Sequence, residues 1–244
     1  MKTITKITTL IALSLFTLTS CAQSWGSKGA KGNGIITTET IEVSDYDEIN
    51  VVGSMDVTLV KGAEGIITVT TDENLHEYVE ITSIAGKLKI TLRNTINGIR
   101  SKKGIIVEVP FTDLDKVSLV GSGDIESNAT IKASTMEVTL TGSGDINLLV
   151  ETENLDSNLT GSGDIRLKGN ATNFKAKVSG SGDFDANDLL TDHTSAFVSG
   201  SGDLNVNAKK SIKARVNGSG DITYRGNPDK TDTKVSGSGD IESD

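Results

Sequence analysis

Seven aspartates have the type and spacing that could do chemistry, because each ends a Gly-Ser-Gly-Asp motif. The intervals between them are 21, 19, 19, 20, 18 and 19 residues. If each motif occupies one coil of a stacked repeat, neighbouring carboxylates lie about 4.8 Å apart, and such a row of oxygens could hold Ca²⁺. The seven are Asp124, Asp145, Asp164, Asp183, Asp203, Asp221 and Asp240.

A structural role explains the same motif. Glycine supplies backbone angles with positive φ, and a short carboxylate accepts hydrogen bonds from turn amides. Carboxylates at this spacing repel each other by about 0.9 kcal/mol in water, which a solvated or amide-bonded row tolerates. Calcium-binding nonapeptide repeats offer a ligand corner about every nine residues, whereas this motif recurs once per coil. The sequence therefore favours a corner, with calcium as the alternative and no other cofactor.

Other arrangements typical of enzymes are absent from the sequence. Its two histidines, His76 and His193, lie in different parts of the chain, and its one cysteine precedes both. A zinc site or a Ser-His-Asp nucleophile is therefore not expected. A polysaccharide-acting β-helix enzyme is the catalytic alternative, since such lyases combine acidic calcium ligands with a basic residue that abstracts a proton. We predict no catalytic residue and a protein that is not an enzyme.

A second candidate site is a surface patch on the later repeats. Phe197 occupies a position that the repeat pattern places outward, and basic residues fall at outward positions around it. They form either a shallow groove for a polyanion or a solvated face that balances acids elsewhere. The basic residues are Lys175, Lys177, Lys213, Arg215 and Lys234.

Alignment of the seven motifs predicts the elements that position these residues. The residue after each aspartate is always apolar, the residue two before the motif is Leu or Val, and the residue four before it is mostly small. Polar residues occupy the intervening positions. This period-two alternation indicates strands buried on one face, and repetition at a constant interval indicates a solenoid. We predict an all-β fold, a parallel β-helix (β-solenoid) of about 19-residue coils over residues 116–244.

Residues 35–115 do not keep this interval. The segment GSMDV at 53–57 is a degenerate copy of the motif, and alternating segments at 66–70, 79–82, 88–92 and 105–109 indicate strands. Residues 72–78 are predicted to form a helical turn. We interpret this region as an irregular β segment that caps the first coil, because repeat arrays need atypical ends.

The first 34 residues indicate export. Residues 1–20 have basic Lys2 and Lys6 followed by a short apolar run, as in a signal peptide. The segment LTSC at 18–21 matches a bacterial lipobox, which makes Cys21 the lipidated first residue of the mature chain; an ordinary secretory signal is the alternative. Gly- and Ser-rich residues 21–34 are predicted to be a flexible tether.

Charge limits the partners. The formal charge is −9, and it becomes −11 once the signal with its two lysines is removed. Such a charge disfavours nucleic acid as a partner. The expected partners are the membrane, through the lipid anchor, and an envelope protein or polysaccharide.

Several segments together resemble a known family. They are YDEI at 46–49, VVG at 51–53, DVTL at 56–59, LKI at 88–90, VEVP at 107–110 and VSL at 117–119 leading into the first motif. The chain resembles the putative auto-transporter adhesin, head GIN domain family of Bacteroidetes envelopes. The resemblance covers most of the mature chain and implies a parallel β-helix, frequent lipid anchoring at the outer membrane and no catalytic residues. It leaves the side of the membrane open. A non-catalytic adhesion or scaffolding module is therefore expected, with the β-helix enzyme and a calcium-stabilised structural module as alternatives.

Overall fold

A computed structural model describes residues 29–93 and 98–244. The predicted signal peptide and the lipidation residue Cys21 lie outside the described residues. The described part forms eighteen strands and one 3₁₀ helix, Glu73–Tyr78. The strands are β1 (Ala30–Lys31), β2 (Ile36–Glu42), β3 (Tyr46–Gly53), β4 (Asp56–Lys61), β5 (Ile66–Asp72), β6 (Val79–Ile84), β7 (Gly86–Leu92), β8 (Ile99–Arg100), β9 (Ile106–Phe111), β10 (Lys116–Gly121), β11 (Asp124–Gly142), β12 (Asp145–Gly161), β13 (Ile165–Gly180), β14 (Phe184–Gly200), β15 (Leu204–Gly218), β16 (Ile222–Arg225), β17 (Lys230–Gly237) and β18 (Ile241–Ser243).

The repeats form a parallel β-solenoid, as predicted. Strands β11 to β15 each run from one corner almost to the next, and every one pairs in parallel with its neighbour. The corners stay in register, so that Gly142 aligns with Gly161, and Gly161 with Gly180. The register shifts lie in the return segments, for example between Arg166 and Gly169. Differences in coil length are therefore absorbed away from the corners.

Close stacking of backbones explains both glycines of the corner. The first, such as Gly161, has a φ of +127°, which favours glycine. The second, such as Gly163, has no φ in the left-handed range, but a Cβ there would lie 1.9 Å from the carbonyl oxygen of Gly144 in the preceding coil. A side chain at the second position is thus excluded by the preceding coil rather than by the turn itself.

The predicted inward columns form one continuous core. The residues after the motif aspartates are buried from Ile125 to Ile222, and those two before the motif are buried from Leu119 to Val216. Burial stops at the last coil, where Val235 is 40% exposed. The end of this column is open because no further coil in the described chain lies over β17.

The N-terminal region contributes two further coils and a cap. Strand β3 pairs in parallel with β10 on one side and with β7 on the other, and β4 lies between β11 and β9 in the same way. Gly53 aligns with Gly121, so the degenerate motif forms a corner. Antiparallel pairs β2–β5, β5–β9 and β6–β7 then change the strand direction at this end. They lie beyond the parallel stack and close it.

The end of the predicted tether is attached to this cap. Strand β1 pairs with β8, and the N–H of Gly34 donates to Oδ1 of Asp72 at 2.6 Å. Oδ2 of Asp72 accepts a bond from the hydroxyl of Ser101 at 2.5 Å. A Cβ at Gly32 would lie 2.3 Å from the same carboxylate. The glycines that indicate a flexible linker in the sequence permit close docking here.

Candidate functional site

The motif aspartates are hydrogen-bonded from coil to coil. In each case Oδ1 of one aspartate accepts the backbone N–H of the next, at 2.7 to 3.1 Å. This row joins Asp124, Asp145, Asp164, Asp183, Asp203, Asp221 and Asp240. One oxygen of each carboxylate except the last is therefore used to hold the next corner, which is the structural role predicted for the motif.

Further acidic side chains lie beside the start of the row. Asp56 lies beside Asp124 and Glu126, and burial followed by the charge of Asp124 raises the pKa of Asp56. Across residues 29–93 and 98–244, no group of three or more His, Cys, Asp or Glu side chains is arranged to hold a metal ion. The described aspartates thus act as corner residues, and calcium binding stays a hypothesis.

The six predicted contact residues lie on one face of the solenoid, formed by the strand segments that precede the corners. Lys177, Phe197, Arg215 and Lys234 are successive register partners on β13, β14, β15 and β17; we call them, with Asn158, the Phe197 column. Two positions earlier on the same strands lies a second column that contains Lys175 and Lys213. This charged column consists of Glu137, Asp156, Lys175, Ser195, Lys213 and Asp232.

A third column on this face was not identified from the sequence. It is separated from the charged column by one inward residue in every coil, and we call it the polar column. It consists of Thr135, Asn154, Asn173, His193, Ser211 and Lys230. All six stand seven residues before the first glycine of a motif, so alignment of the repeats at that position could have found them.

The polar and charged columns line an axial groove. Its floor is made by inward residues such as Leu155, Phe174 and Ile212, which are each 2% exposed. Two adjoining depressions of about 290 and 260 Å³ share His193 and Ser195. The polar wall is internally bonded: Nδ2 of Asn173 donates to Oδ1 of Asn154 at 2.9 Å. The groove is shallow and follows the solenoid axis.

The basic residues on this face differ in how they are held. Lys175 pairs with Asp156 at 2.7 Å, and Arg215 pairs with Asp232 at 2.5 Å. Arg215 also donates through Nη1 to the carbonyl oxygens of Ala214 and Asp232, at 2.9 and 2.7 Å. Its guanidinium therefore has a fixed position. The hydrogen bond from Arg215 is the main cause that lowers the pKa of Asp232.

Four lysines on the same face have no such partner. Within the described part of the chain, no ion pair within 4.0 Å is formed by Lys177, Lys213, Lys230 or Lys234. Phe197 lies half-buried between Lys177 and Arg215 in the register. An apolar ring is thus flanked by cations on both sides, an arrangement that can contact the apolar face and the anionic group of one ligand together.

The match to a protein family agrees with this architecture. Residues 45–228 match the family described as Putative auto-transporter adhesin, head GIN domain. The chain belongs to this family. The resemblance found in the sequence is confirmed, and the matched range includes both the irregular coils and most of the repeats.

Solved structures show the same fold. One is a putative adhesin from Bacteroides fragilis NCTC 9343, with a TM-score of 0.82 and 20% identity over 88% of this chain and 100% of that one. Two others, both from Parabacteroides distasonis ATCC 8503, are a putative lipid binding protein and a putative adhesin. Their TM-scores are 0.75 and 0.72, with 28% and 26% identity, and each match covers 89% of this chain and all of that one. A search of curated proteins finds no match.

These relatives indicate an adhesion-like module of the cell surface or envelope. The one helix of the described ranges, Glu73–Tyr78, is too short to cross a membrane.

Proposed function

We propose that the protein is a non-catalytic, lipid-anchored module of the bacterial outer membrane that adheres to or scaffolds another envelope component. It does so through the face that carries the polar, charged and Phe197 columns, which we call the groove face. The observation that carries this proposal is the arrangement of that face. It presents three columns of outward side chains across successive coils of one rigid sheet. Its depressions are shallow, whereas sites for small substrates bury most of their ligand.

The anchor and the face occupy different parts of the molecule. Residues 29–34 are bonded to the cap, at the opposite end of the stack from β17. A lipid on Cys21 would therefore be joined to the capped end through residues 22–28, a span of at most about 25 Å when extended. The groove face would then rise from the membrane along the solenoid axis.

Photo-crosslinking in intact cells tests the use of this face. A photoreactive benzoylphenylalanine in place of Phe197 is expected to capture a specific envelope component. The matched control is the same replacement of Asn205. This residue is also half-buried, but it lies on the strand segment directly after a corner and therefore outside the groove face. Equal capture at both positions, or at neither, would contradict the proposal.

Cell fractionation tests the anchor separately. The variant Cys21→Ser is expected to move the protein from the membrane fraction to the soluble fraction and to abolish incorporation of labelled palmitate. A variant that stays in the membrane fraction would show that a different feature attaches the protein.

A further inference from the structure

The shape of the axial groove points to a chain-like ligand. Its polar column spans six rows from Thr135 to Lys230, which at the spacing of paired strands is about 24 Å. The groove stays shallow along this length and contains no deep chamber between its walls. A ligand that fits this shape is extended and lies parallel to the solenoid axis.

The polar wall can bond hydroxyl groups repeatedly. Asn154 and Asn173 share one amide–amide bond, and Nδ1 of His193 is 2.8 Å from the hydroxyl of Ser211. An asparagine amide has two donors and an acceptor oxygen with two lone pairs, so each retains bonding capacity beyond this ladder. Groups of this kind, repeated at the strand spacing, suit a polymer that carries several hydroxyls on every unit.

The face that carries the three columns is basic on a protein that is acidic as a whole, and the charged residues of the Phe197 column are all cations. The polar, charged and Phe197 columns together contain six cationic side chains and three carboxylates, while the full chain has a formal charge of −9. The cations are Lys175, Lys177, Lys213, Arg215, Lys230 and Lys234, and the acids are Glu137, Asp156 and Asp232. Local positive potential on this face attracts an anionic ligand that the rest of the surface repels.

The ligand class follows from the mixture of these groups. Duplex DNA carries one charge for about every 1.7 Å of its axis, which is denser than the cations of this face. Single-stranded nucleic acids bind through several stacking aromatic side chains, whereas this face has one aromatic side chain, Phe197. A polymer with widely spaced carboxylates and many hydroxyls matches the polar column of the groove together with the cations of the adjoining Phe197 column. Phe197 can contact the apolar face of a sugar ring while Lys177 and Arg215 lie one register step away on either side.

We propose that the axial groove and the adjoining Phe197 column bind an acidic linear polysaccharide, with its hydroxyls on the polar column and its carboxylates on Lys177, Lys213 and Lys234. This inference rests on the proposed function, because it assigns a ligand class to the face that the module uses. The polymer runs along the stack and contacts successive coils in the same way.

Binding of the full chain to polygalacturonate, measured by isothermal titration calorimetry with dextran as the neutral polymer, tests the inference. We expect binding to polygalacturonate, weakening at about 1 M NaCl where the Debye length is about 3 Å, and no binding to dextran. The triple variant Lys177→Gln, Lys213→Gln, Lys234→Gln is expected to lower the affinity about tenfold, since exposed ion pairs contribute about 0.5 kcal/mol each. Asn154→Ala with Asn173→Ala should weaken binding further.

The matched control removes the same charge elsewhere. Lys132 and Lys168 pair with Glu151 and Asp188, and Lys61 lies at the end of β4; none of these three lysines lines the groove, and their replacement by Gln should change the affinity less than twofold. An equal loss in both triple variants, binding to dextran as well, or no binding to polygalacturonate would overturn the inference. None of these results affects the crosslinking test of the proposed function.

A separate measurement tests for cleavage of the polymer. Release of new chain ends from polygalacturonate would contradict the non-catalytic proposal and leave the binding site in place.

Discussion

The repeats and the N-terminal cap hold their chains together in different ways. From β11 to β15 every coil repeats the contacts of the one before, with glycine on glycine and each aspartate bonded to the next aspartate's amide. The cap depends on single, long-range contacts, such as Asp72 with Gly34 and Ser101. The comparison teaches that repetition builds a long face with equivalent side-chain positions in successive coils, whereas the irregular region ends the stack and binds residues 29–34.

The largest expected effect separates two kinds of glycine. Gly163→Ala places a Cβ against the backbone of the preceding coil, at 1.9 Å from a carbonyl oxygen, and should lower the free energy of unfolding by about 4 kcal/mol. Gly34→Ala in the cap has a φ of +84° but nothing within 4 Å of the new Cβ, so it should cost about 1 kcal/mol. Urea unfolding followed by circular dichroism measures both. Similar losses would show that stacking is not what requires glycine in the corners.

The next prediction compares the middle of the stack with its open end. Val216 and Val235 occupy the same inward column, but they are 2% and 40% exposed. Val216→Ala removes two methyl groups from a packed core and should lower the free energy of unfolding by about 2 kcal/mol. Val235→Ala should cost about 0.5 kcal/mol or less. A comparable loss at Val235, again by urea unfolding, would indicate that the last coil is covered in solution.

A smaller, local effect is expected in the cap. Asp72→Asn keeps the shape of the side chain but leaves only one acceptor oxygen for the two donors from Gly34 and Ser101. Hydrogen exchange should become faster at the backbone amides of residues 30–34. Exchange in β12 to β14 should not change.

Asp164→Asn is the matched variant in the repeats. Its amide oxygen can still accept the N–H of Asp183, so exchange should stay slow there. Protection of residues 30–34 in Asp72→Asn would show that the carboxylate does not hold the docked segment.

The smallest effects concern pH, and their signs differ between Asp72 in the cap and Asp56 in the irregular coil next to the repeats. Hydrogen bonds from Ser101 and Gly34 lower the pKa of Asp72 below its usual 3.8, so the stability it contributes is present above that value and is lost as pH falls through the folded pKa. Burial and Asp124 raise the pKa of Asp56, so protonation of Asp56 stabilises the fold as pH falls through its folded pKa towards 3.8. Urea unfolding at a series of pH values gives the slope of the free energy of unfolding against pH. Asp72→Asn should change this slope below pH 3.8, and Asp56→Asn should change it in the opposite direction above pH 3.8. Slopes of the same sign would contradict one of the two assignments.

The inward columns could be predicted from the sequence because they depend on a local alternation that is repeated in every coil. The helical turn predicted at 72–78 is present as the 3₁₀ helix Glu73–Tyr78. The outward placement of Phe197 and of the basic residues around it could also be predicted, since outward positions follow from the same alternation; their role as contact residues stays a prediction. The polar column was missed because Asn, His, Ser and Thr at one repeat position have no common chemical type.

The sequence by itself determined the solenoid, its coil interval, the inward side chains and the glycines of each corner. These features are expressed within one coil, and the next coil repeats them. Only the tertiary structure decided that β3 lies between β7 and β10, that residues 29–34 dock on Asp72, and that the polar and charged columns enclose a groove. These contacts join segments that are distant in the chain or lie in different coils, and packing selects them without a local pattern.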